Sequence, residues 1–295
     1  MNKKLTIFLV TVVIVCFAGA AYYPIHYLME KHSNEEEIEE LRAIRRGYQK
    51  TDSPAQEGSA PESAGRSALS DNQAEEKAGM ALPYSEKKKE VLDTDRILPQ
   101  YREIYELNHD FIGWLTIPDT IIDYPVMQSE DNAYYLNHDF YKRSNANGEL
   151  LLDNMCDAYT PSYNLIIAGH HMRSGAMFGK IIDYQEEEFW RGHKLVQFDT
   201  LMQEGTYVVT AAFYSADYAA SEPGFRYYVV FEEEDGYEDW MRQVRENQLY
   251  DTGIDCRFGD EFLTLSTCAY QRENGRFVVI ARKLRDEEDV QEFQE

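Results

Sequence analysis

The sequence has few basic residues, and this shortage restricts the partners that it can bind. It contains 29 Lys and Arg residues against 53 Asp and Glu residues, which gives a formal net charge of −24 at pH 7. A surface that binds nucleic-acid phosphates needs a basic patch, and none is visible in the sequence. The composition therefore argues against a nucleic-acid partner, and the acidity mainly favours solubility.

Cysteine is also scarce, with only Cys16, Cys156, Cys256 and Cys268 in 295 residues. These cysteines show neither a Cys-x-x-Cys pair nor the Cys/His spacing of a zinc site, and a dense disulfide framework is not indicated. We expect no metal and no other cofactor. Cys156 and Cys256 are either two buried thiols or one disulfide, and the sequence leaves this choice open.

A long apolar run stands at the N-terminus. Residues 5–23 contain no charged side chain and follow Lys3 and Lys4. The length is close to the ~20 residues that cross a bilayer, and the two lysines favour a cytoplasmic end. We predict a cytoplasmic segment over 1–4 and a single transmembrane anchor over 5–23, with the rest of the chain extracellular. A cleaved signal peptide is the alternative, because Ala18-Gly19-Ala20 fits a cleavage pattern.

The next stretch lacks aromatic residues. Residues 51–81 are rich in Ser, Ala, Gly, Glu and Pro, so they cannot bury enough surface to fold. Before them, Ser33-Asn34-Glu35-Glu36 has the spacing of a capping box and predicts a short exposed helix to Arg46. We predict that residues 24–89 form a stalk, partly helical and partly disordered.

The composition changes at about residue 90, where aromatic residues and alternating apolar patterns begin. Turn-rich loops separate most of the strand candidates, a pattern that favours an antiparallel barrel over a βαβ sheet. We predict a mainly β folded domain over 90–285 that forms an antiparallel barrel. A long helix over 235–250 interrupts the last strands, and residues 286–295 form an acidic tail. The strand candidates are 113–117, 122–128, 149–153, 164–169, 195–200, 206–214, 262–268 and 276–284.

Two strand ends carry residues suited to catalysis. The strand Thr264–Cys268 ends in a cysteine, and Arg276 begins the strand that follows a short polar loop. A cysteine at a strand end can be exposed while its backbone stays rigid, as a nucleophile requires. A buried apolar thiol is the alternative. A second apolar strand runs into Gly169, His170 and His171; these neighbouring histidines point to opposite faces and would not readily share a metal ion.

The order of these motifs resembles the class B sortases, a family of bacterial cysteine transpeptidases. The resemblance covers about Tyr101 to Leu284 and rests on TLSTC (264–268), GH (169–170) and GRFVV (275–279). The segments 113–128, 131–140 and 147–153 also look like the class B region that precedes the histidine. The extra helix over 235–250 is a further class B trait. The resemblance therefore implies a sortase catalytic domain over 90–285, a closed antiparallel sortase-type β-barrel of about eight strands with an N-terminal helix.

The resemblance also implies an activity and the residues that perform it. Cys268 would attack the carbonyl after threonine in a sorting signal and form an acyl-thioester, which a peptidoglycan cross-bridge amine resolves. His170 would be the acid and base, and Arg276 would donate to the developing oxyanion. His171 is the rival for the role of His170; the rivals for Arg276 are Arg272 and Arg282.

Motif matching assigns Asn132, Leu136 and Ser266 to binding of the signal peptide. The implied clients are secreted proteins with an Asn/Ser-Pro-x-Thr type of signal, and no metal is implied. A pilin-polymerising sortase remains open within the family. Outside it, a hydrolytic cysteine protease and an anchored scaffold without chemistry are the alternatives.

Overall fold

The structure is a computed structural model that describes residues 32–48, 94–159, 163–216, 225, 227–231, 233–269 and 275–294. The predicted cytoplasmic segment, the anchor over 5–23 and most of the predicted stalk lie outside these residues. Within the described part of the chain, no helix has the length and apolar character needed to cross a membrane.

Eight strands close into a barrel in the order β1-β2-β3-β4-β7-β8-β6-β5, which confirms the predicted fold. Each strand overlaps one of the predicted segments. The strands are β1 (Phe111–Thr116), β2 (Asp123–Met127), β3 (Leu150–Leu152), β4 (Asn164–Ala168), β5 (Leu195–Thr200), β6 (Thr206–Ala216), β7 (Phe262–Ala269) and β8 (Gly275–Lys283).

The direction of the strands corrects one part of the prediction. Six of the eight pairings are antiparallel, but β2 with β3 and β4 with β7 are parallel. The barrel is therefore not wholly antiparallel, because long connections bring sequence-distant strands side by side. As a consequence, the C-terminal ends of β4 and β7 lie at the same end of the barrel.

In the described part of the chain, four helices pack around the strands: α1 (residues 32–48), α2 (Pro99–Leu107), α3 (Glu187–Gly192) and α4 (Glu234–Asn247). The α4 helix buries Tyr237, Trp240, Met241 and Val244, the apolar face that its periodicity predicted. This face joins a cluster on the outside of the barrel that includes Phe262 of β7. Short 3₁₀ turns cover Thr94–Arg96, Tyr134–Leu136, Phe178–Gln185 and Val290–Phe293.

Helix α1 is present, but the prediction that it is exposed is wrong. Ile38 and Leu41 are buried against the barrel. Arg42 donates to the backbone carbonyl of Asp123 at 2.8 Å, and Arg45 donates to its carboxylate at 3.0 Å. The charged residues of α1 thus face partners on the barrel as well as solvent, so a segment before residue 90 packs with the folded domain.

The predicted acidic tail is likewise not wholly solvated. Glu288 binds the guanidinium of Arg282 through two hydrogen bonds of 2.7 Å. Arg282 lies on β8 and is only 1% exposed, so Glu288 is the counter-ion of a buried charge.

Candidate active site

Cys268 and Arg276 lie side by side on two neighbouring strands. They are register partners in the antiparallel pair of β7 and β8, and Arg276 Nη1 donates to Cys268 Sγ at 3.2 Å. Cys268 is half-buried, whereas the other residues of β7 are buried. The thiol therefore combines a fixed backbone with an accessible sulfur and an adjacent permanent positive charge, an arrangement suited to a nucleophile.

His170 reaches the same end of the barrel from β4. Ala168 pairs with Ser266 in the parallel ladder, so two further residues along each strand lead to His170 and Cys268. Gly169, just before His170, packs closely against β3 and the loop after β4, because a Cβ there would lie 2.5 Å from a Leu150 methyl carbon and 2.8 Å from the Phe178 ring.

One hydrogen bond determines which nitrogen of His170 carries the hydrogen of the neutral ring. Nε2 lies 2.7 Å from the backbone oxygen of Leu136, and a carbonyl oxygen can only accept. Nε2 is therefore the donor, which leaves Nδ1 as the nitrogen that can take up a proton.

His171 has a different partner. Its Nδ1 donates to the backbone oxygen of Cys268 at 3.0 Å, so the ring contacts the main chain of the cysteine. The ends of β4 and β7 are joined nearby by Thr267 Oγ1, which donates to the Gly169 oxygen at 2.7 Å. The two histidines thus contact different groups. This geometry suits His171 to holding the strand end, and it keeps His170 as the proposed acid and base.

The three predicted signal-binding residues have different partners. Leu136 contacts His170 through its carbonyl, and Ser266 precedes Cys268 by two residues on β7. Asn132 has a left-handed backbone with φ of 52°, and its side-chain amide binds Asp153 and Asn154 after β3. Its contact with a signal peptide stays a prediction.

Tyr227 joins the site, although no motif pointed to it. Its hydroxyl and the Ser266 hydroxyl form a 3.0 Å hydrogen bond between residues 39 positions apart. In the sequence Tyr227 stands beside Phe225 and Tyr228, and a group of aromatic residues does not reveal a partner on β7.

The alternative cation Arg282 does not belong to the site. On β8 it pairs with Phe262, whereas Arg276 pairs with Cys268 near the other end of the ladder. Arg272 lies outside the described residues. Among the described residues, no group of three or more His, Cys, Asp or Glu side chains is arranged to hold a metal ion.

The described cysteines are all free, so a disulfide between Cys156 and Cys256 is not formed. Cys156 is fully buried, and its sulfur accepts from the Ile166 amide at 3.3 Å. Burial raises the pKa of the Cys256 thiol to about 11, with the nearby Asp260 adding to the effect and Arg282 opposing it. Both thiols are therefore poor nucleophiles, which leaves Cys268 as the reactive candidate of the three.

The chain is similar to known sortases. The Sortase domain family model matches residues 115–284. Sortase B of Listeria monocytogenes is 31% identical over 188 residues, which cover 61% of this chain and 72% of that protein. Sortase B of Staphylococcus aureus is 27% identical over 190 residues, which cover 64% of this chain and 76% of that protein.

Solved structures show the same likeness. A sortase B structure from Bacillus anthracis superposes with a TM-score of 0.64 at 24% identity, covering 88% of this chain and 99% of that chain. The structure of Clostridium perfringens sortase B gives a TM-score of 0.58 at 27% identity, covering 62% and 99%. A substrate complex of Staphylococcus aureus sortase B gives a TM-score of 0.63 at 22% identity, covering 88% of this chain and 99% of that chain.

Proposed function

Because the chain belongs to the sortase family, within class B, and is a cell-wall cysteine transpeptidase, we propose that Cys268, His170 and Arg276 carry out its reaction. The substrate in this proposal is a secreted protein with a C-terminal sorting signal of the Asn/Ser-Pro-x-Thr type. The acceptor is a peptidoglycan cross-bridge amine. The observation that carries the proposal is the 3.2 Å contact between Arg276 and the Cys268 sulfur.

The first half-reaction forms a thioester. The Cys268 thiolate attacks the carbonyl carbon of the threonine, and the carbonyl oxygen becomes an oxyanion that accepts hydrogen bonds from Arg276. When this intermediate collapses, the peptide C–N bond breaks and His170 gives a proton to the leaving amine. The C-terminal tail departs, and the acyl group stays on the sulfur.

The second half-reaction releases the acyl group. The acceptor amine attacks the thioester carbon, His170 Nδ1 takes a proton from the nitrogen, and the C–S bond breaks. The product is a new amide, and Cys268 returns as a thiolate.

The N-terminal sequence supports a location for this chemistry. We infer that residues 5–23 anchor the chain in the membrane, that the N-terminus is cytoplasmic, and that the barrel is extracellular. An enzyme anchored in this way would meet secreted proteins where the cell wall is assembled.

The test is mass spectrometry of the full chain incubated with a quenched Asn-Pro-x-Thr peptide and an amine acceptor. We expect cleavage after threonine, an acyl adduct on Cys268 and an amine-linked product. Cys268→Ala should lose all three, and Cys256→Ala, which removes another free thiol, should retain them. Water as the only acyl acceptor would indicate a protease. A preference for a lysine side chain of a pilin peptide over a cross-bridge amine would indicate pilin polymerisation.

A further inference from the structure

The carbonyl that binds the His170 ring belongs to the turn Tyr134–Leu136. The Leu136 oxygen accepts from His170 Nε2 at 2.7 Å, across 34 positions of sequence. Because this bond determines which ring nitrogen carries the hydrogen, a shift of the carbonyl would weaken that control. The availability of His170 Nδ1, which exchanges protons in the proposed reaction, thus depends on how firmly the turn is held.

The side chain of Tyr135 anchors this turn in the core. Tyr135 is fully buried, and its hydroxyl donates to the Asp110 carboxylate at 2.9 Å while it accepts from the Asn108 amide at 2.9 Å. Asn108 is itself buried and also donates to the Phe140 carbonyl at 2.6 Å, and Asp110 pairs with Lys142 at 2.8 Å. Both partners of the phenol stand just before β1, so the turn is tied to the start of a barrel strand.

Gly148 packs directly against the backbone of the same turn. It has a left-handed backbone with φ of 58° and is buried just before β3. A Cβ at this position would lie 2.5 Å from the Tyr135 oxygen and 2.6 Å from the Leu136 oxygen, which is closer than non-bonded atoms approach. The next residue, Glu149, donates its amide to the Tyr135 oxygen at 2.7 Å. The absence of a side chain at Gly148 therefore lets the start of β3 set the position of the Leu136 carbonyl.

We propose that Gly148 and Tyr135 are positioning residues for His170 and act through the Leu136 carbonyl. The inference rests on the proposed function, in which His170 gives a proton to the leaving amine and takes one from the acceptor. Tyr135 holds the turn from the core through its phenol, and Gly148 limits the turn from the β3 side through backbone contact. Each residue keeps the carbonyl, and with it the imidazole, in the position that proton transfer requires.

Gly148→Ala tests the backbone contact. The added methyl group must displace the carbonyls of Tyr135 and Leu136, since backbone atoms cannot yield as the end of a flexible side chain can. Gly253→Ala is the matched control, because Gly253 also has a left-handed backbone, with φ of 68°, but a Cβ there would meet nothing within 4 Å. Both variants therefore carry the same kind of backbone strain, and only Gly148→Ala moves the turn. Thermal unfolding establishes that each variant is folded.

Tyr135→Phe tests the side-chain anchor and leaves the backbone unchanged. Tyr101→Phe is its matched control, because Tyr101 is also fully buried and its hydroxyl donates to a barrel carboxylate, that of Asp199, at 2.6 Å. Each of these variants loses one buried hydroxyl, so their losses of stability should be similar, whereas only Tyr135→Phe loosens the turn. If Gly148→Ala fails to fold, this second pair decides the proposal.

The first readout is the turnover of the full chain with a donor peptide. We expect kcat to fall about 10²-fold in Gly148→Ala, the loss that a misplacement of about 1 Å can cause, and at least about fivefold in Tyr135→Phe. Both controls should stay within about twofold of the parent. An unchanged kcat in both test variants would overturn the proposal. So would a rise in donor KM at unchanged kcat, which would assign the turn to binding of the sorting signal.

A second readout requires no turnover and separates this inference from the proposed function. The Nε2 hydrogen of neutral His170 donates to a carbonyl, so its exchange with solvent requires that this bond opens. By NMR of the isotope-labelled full chain, we expect this exchange to accelerate at least about fivefold in both test variants and in neither control.

Equal exchange in all variants would contradict the positioning role even if His170 is the acid and base. Faster exchange in the test variants, together with full activity of His170→Ala, would uphold the positioning of the ring and contradict the catalytic proposal alone.

Discussion

The Arg276 guanidinium lies 3.2 Å from the Cys268 sulfur because the two residues are direct partners in the β7–β8 ladder. Backbone hydrogen bonds of the ladder hold the two residues opposite each other on rigid strands. Arrangements of this kind are pre-organised, since the donor is already directed at the place where charge develops.

Loss of Arg276 should therefore lower acylation strongly. We expect Arg276→Ala to reduce kcat/KM for the donor peptide about 10²- to 10³-fold, the usual loss for one oxyanion donor. Arg276→Lys keeps the charge but not the planar fork, so it should recover only part of the activity. Peptide cleavage rates under single-turnover conditions give the comparison. Full activity of Arg276→Ala would show that another group stabilises the oxyanion.

His171 should act on the position of the nucleophile. Its Nδ1 donates to the Cys268 carbonyl at 3.0 Å, and loss of one such bond costs about 1 kcal/mol, or about fivefold in rate if the strand end shifts. We expect His171→Ala to lower kcat/KM for the donor peptide by about this factor. His171→Asn should recover most of it, because the asparagine amide can donate from a position near that of Nδ1.

The same pair of changes at His170 provides the contrast. Asparagine cannot exchange a proton as imidazole does, so His170→Asn should be as inactive as His170→Ala. If His171→Asn proves as inactive as His171→Ala while His170→Asn retains activity, the acid and base role belongs to His171.

The sequence predicted those parts of the site that local pattern controls. The alternating and β-branched residues of 262–268 and 276–284 predicted β7 and β8, and the short loop between them implied an antiparallel pair. That pairing brought Cys268 and Arg276 together. The glycine before His170 and the apolar run of β4 were visible in the same way.

Contacts between distant segments could not be predicted. The parallel pairing of β4 with β7 joins strands about a hundred residues apart, and the hydrophobic pattern of a strand does not name its neighbour. Arg42 similarly finds its partner Asp123 81 positions away, so the composition of α1 indicated exposure where the fold provides a docking site. Tyr227 was missed for the same reason.

The docking of α1 should depend on pH through Glu37. The Glu37 carboxyl is 5% exposed and faces Asp139, Arg143 and the Phe140 amide, with Glu149 buried nearby. Burial raises the pKa of Glu37 from 4.5 to about 7, helped by the charge of Asp139 and opposed by Arg143.

Because the docked state holds this proton more tightly, docking should be strongest at low pH and weaken as pH rises from about 4.5 through about 7. The pKa of Glu149 is raised by burial as well, so its effect has the same sign. Hydrogen-exchange protection of residues 32–48, corrected for intrinsic rates, should fall over this range. Glu37→Gln should reduce this pH dependence of protection. Glu36→Gln, on the exposed side of the same helix, should leave the pH dependence unchanged. If protection of Glu37→Gln falls with pH as steeply as in the parent, Glu37 does not cause the pH dependence.

The second arginine of β8 should affect stability and not chemistry. Arg282 is 1% exposed, and both of its terminal nitrogens donate to Glu288. Glu288→Gln leaves that charge buried without a counter-ion, so we expect the free energy of unfolding in urea to fall by about 3 kcal/mol. Glu287→Gln breaks an exposed pair with Arg257 and should change the free energy of unfolding by less than about 0.5 kcal/mol.

The activity of Glu288→Gln should be unaffected. Well below its melting temperature, this variant should keep the kcat/KM of the parent, in contrast to Arg276→Ala. A strong loss of activity in folded Glu288→Gln would contradict this prediction. It would mean that Arg282, which lies on the same strand as Arg276, also contributes to the reaction.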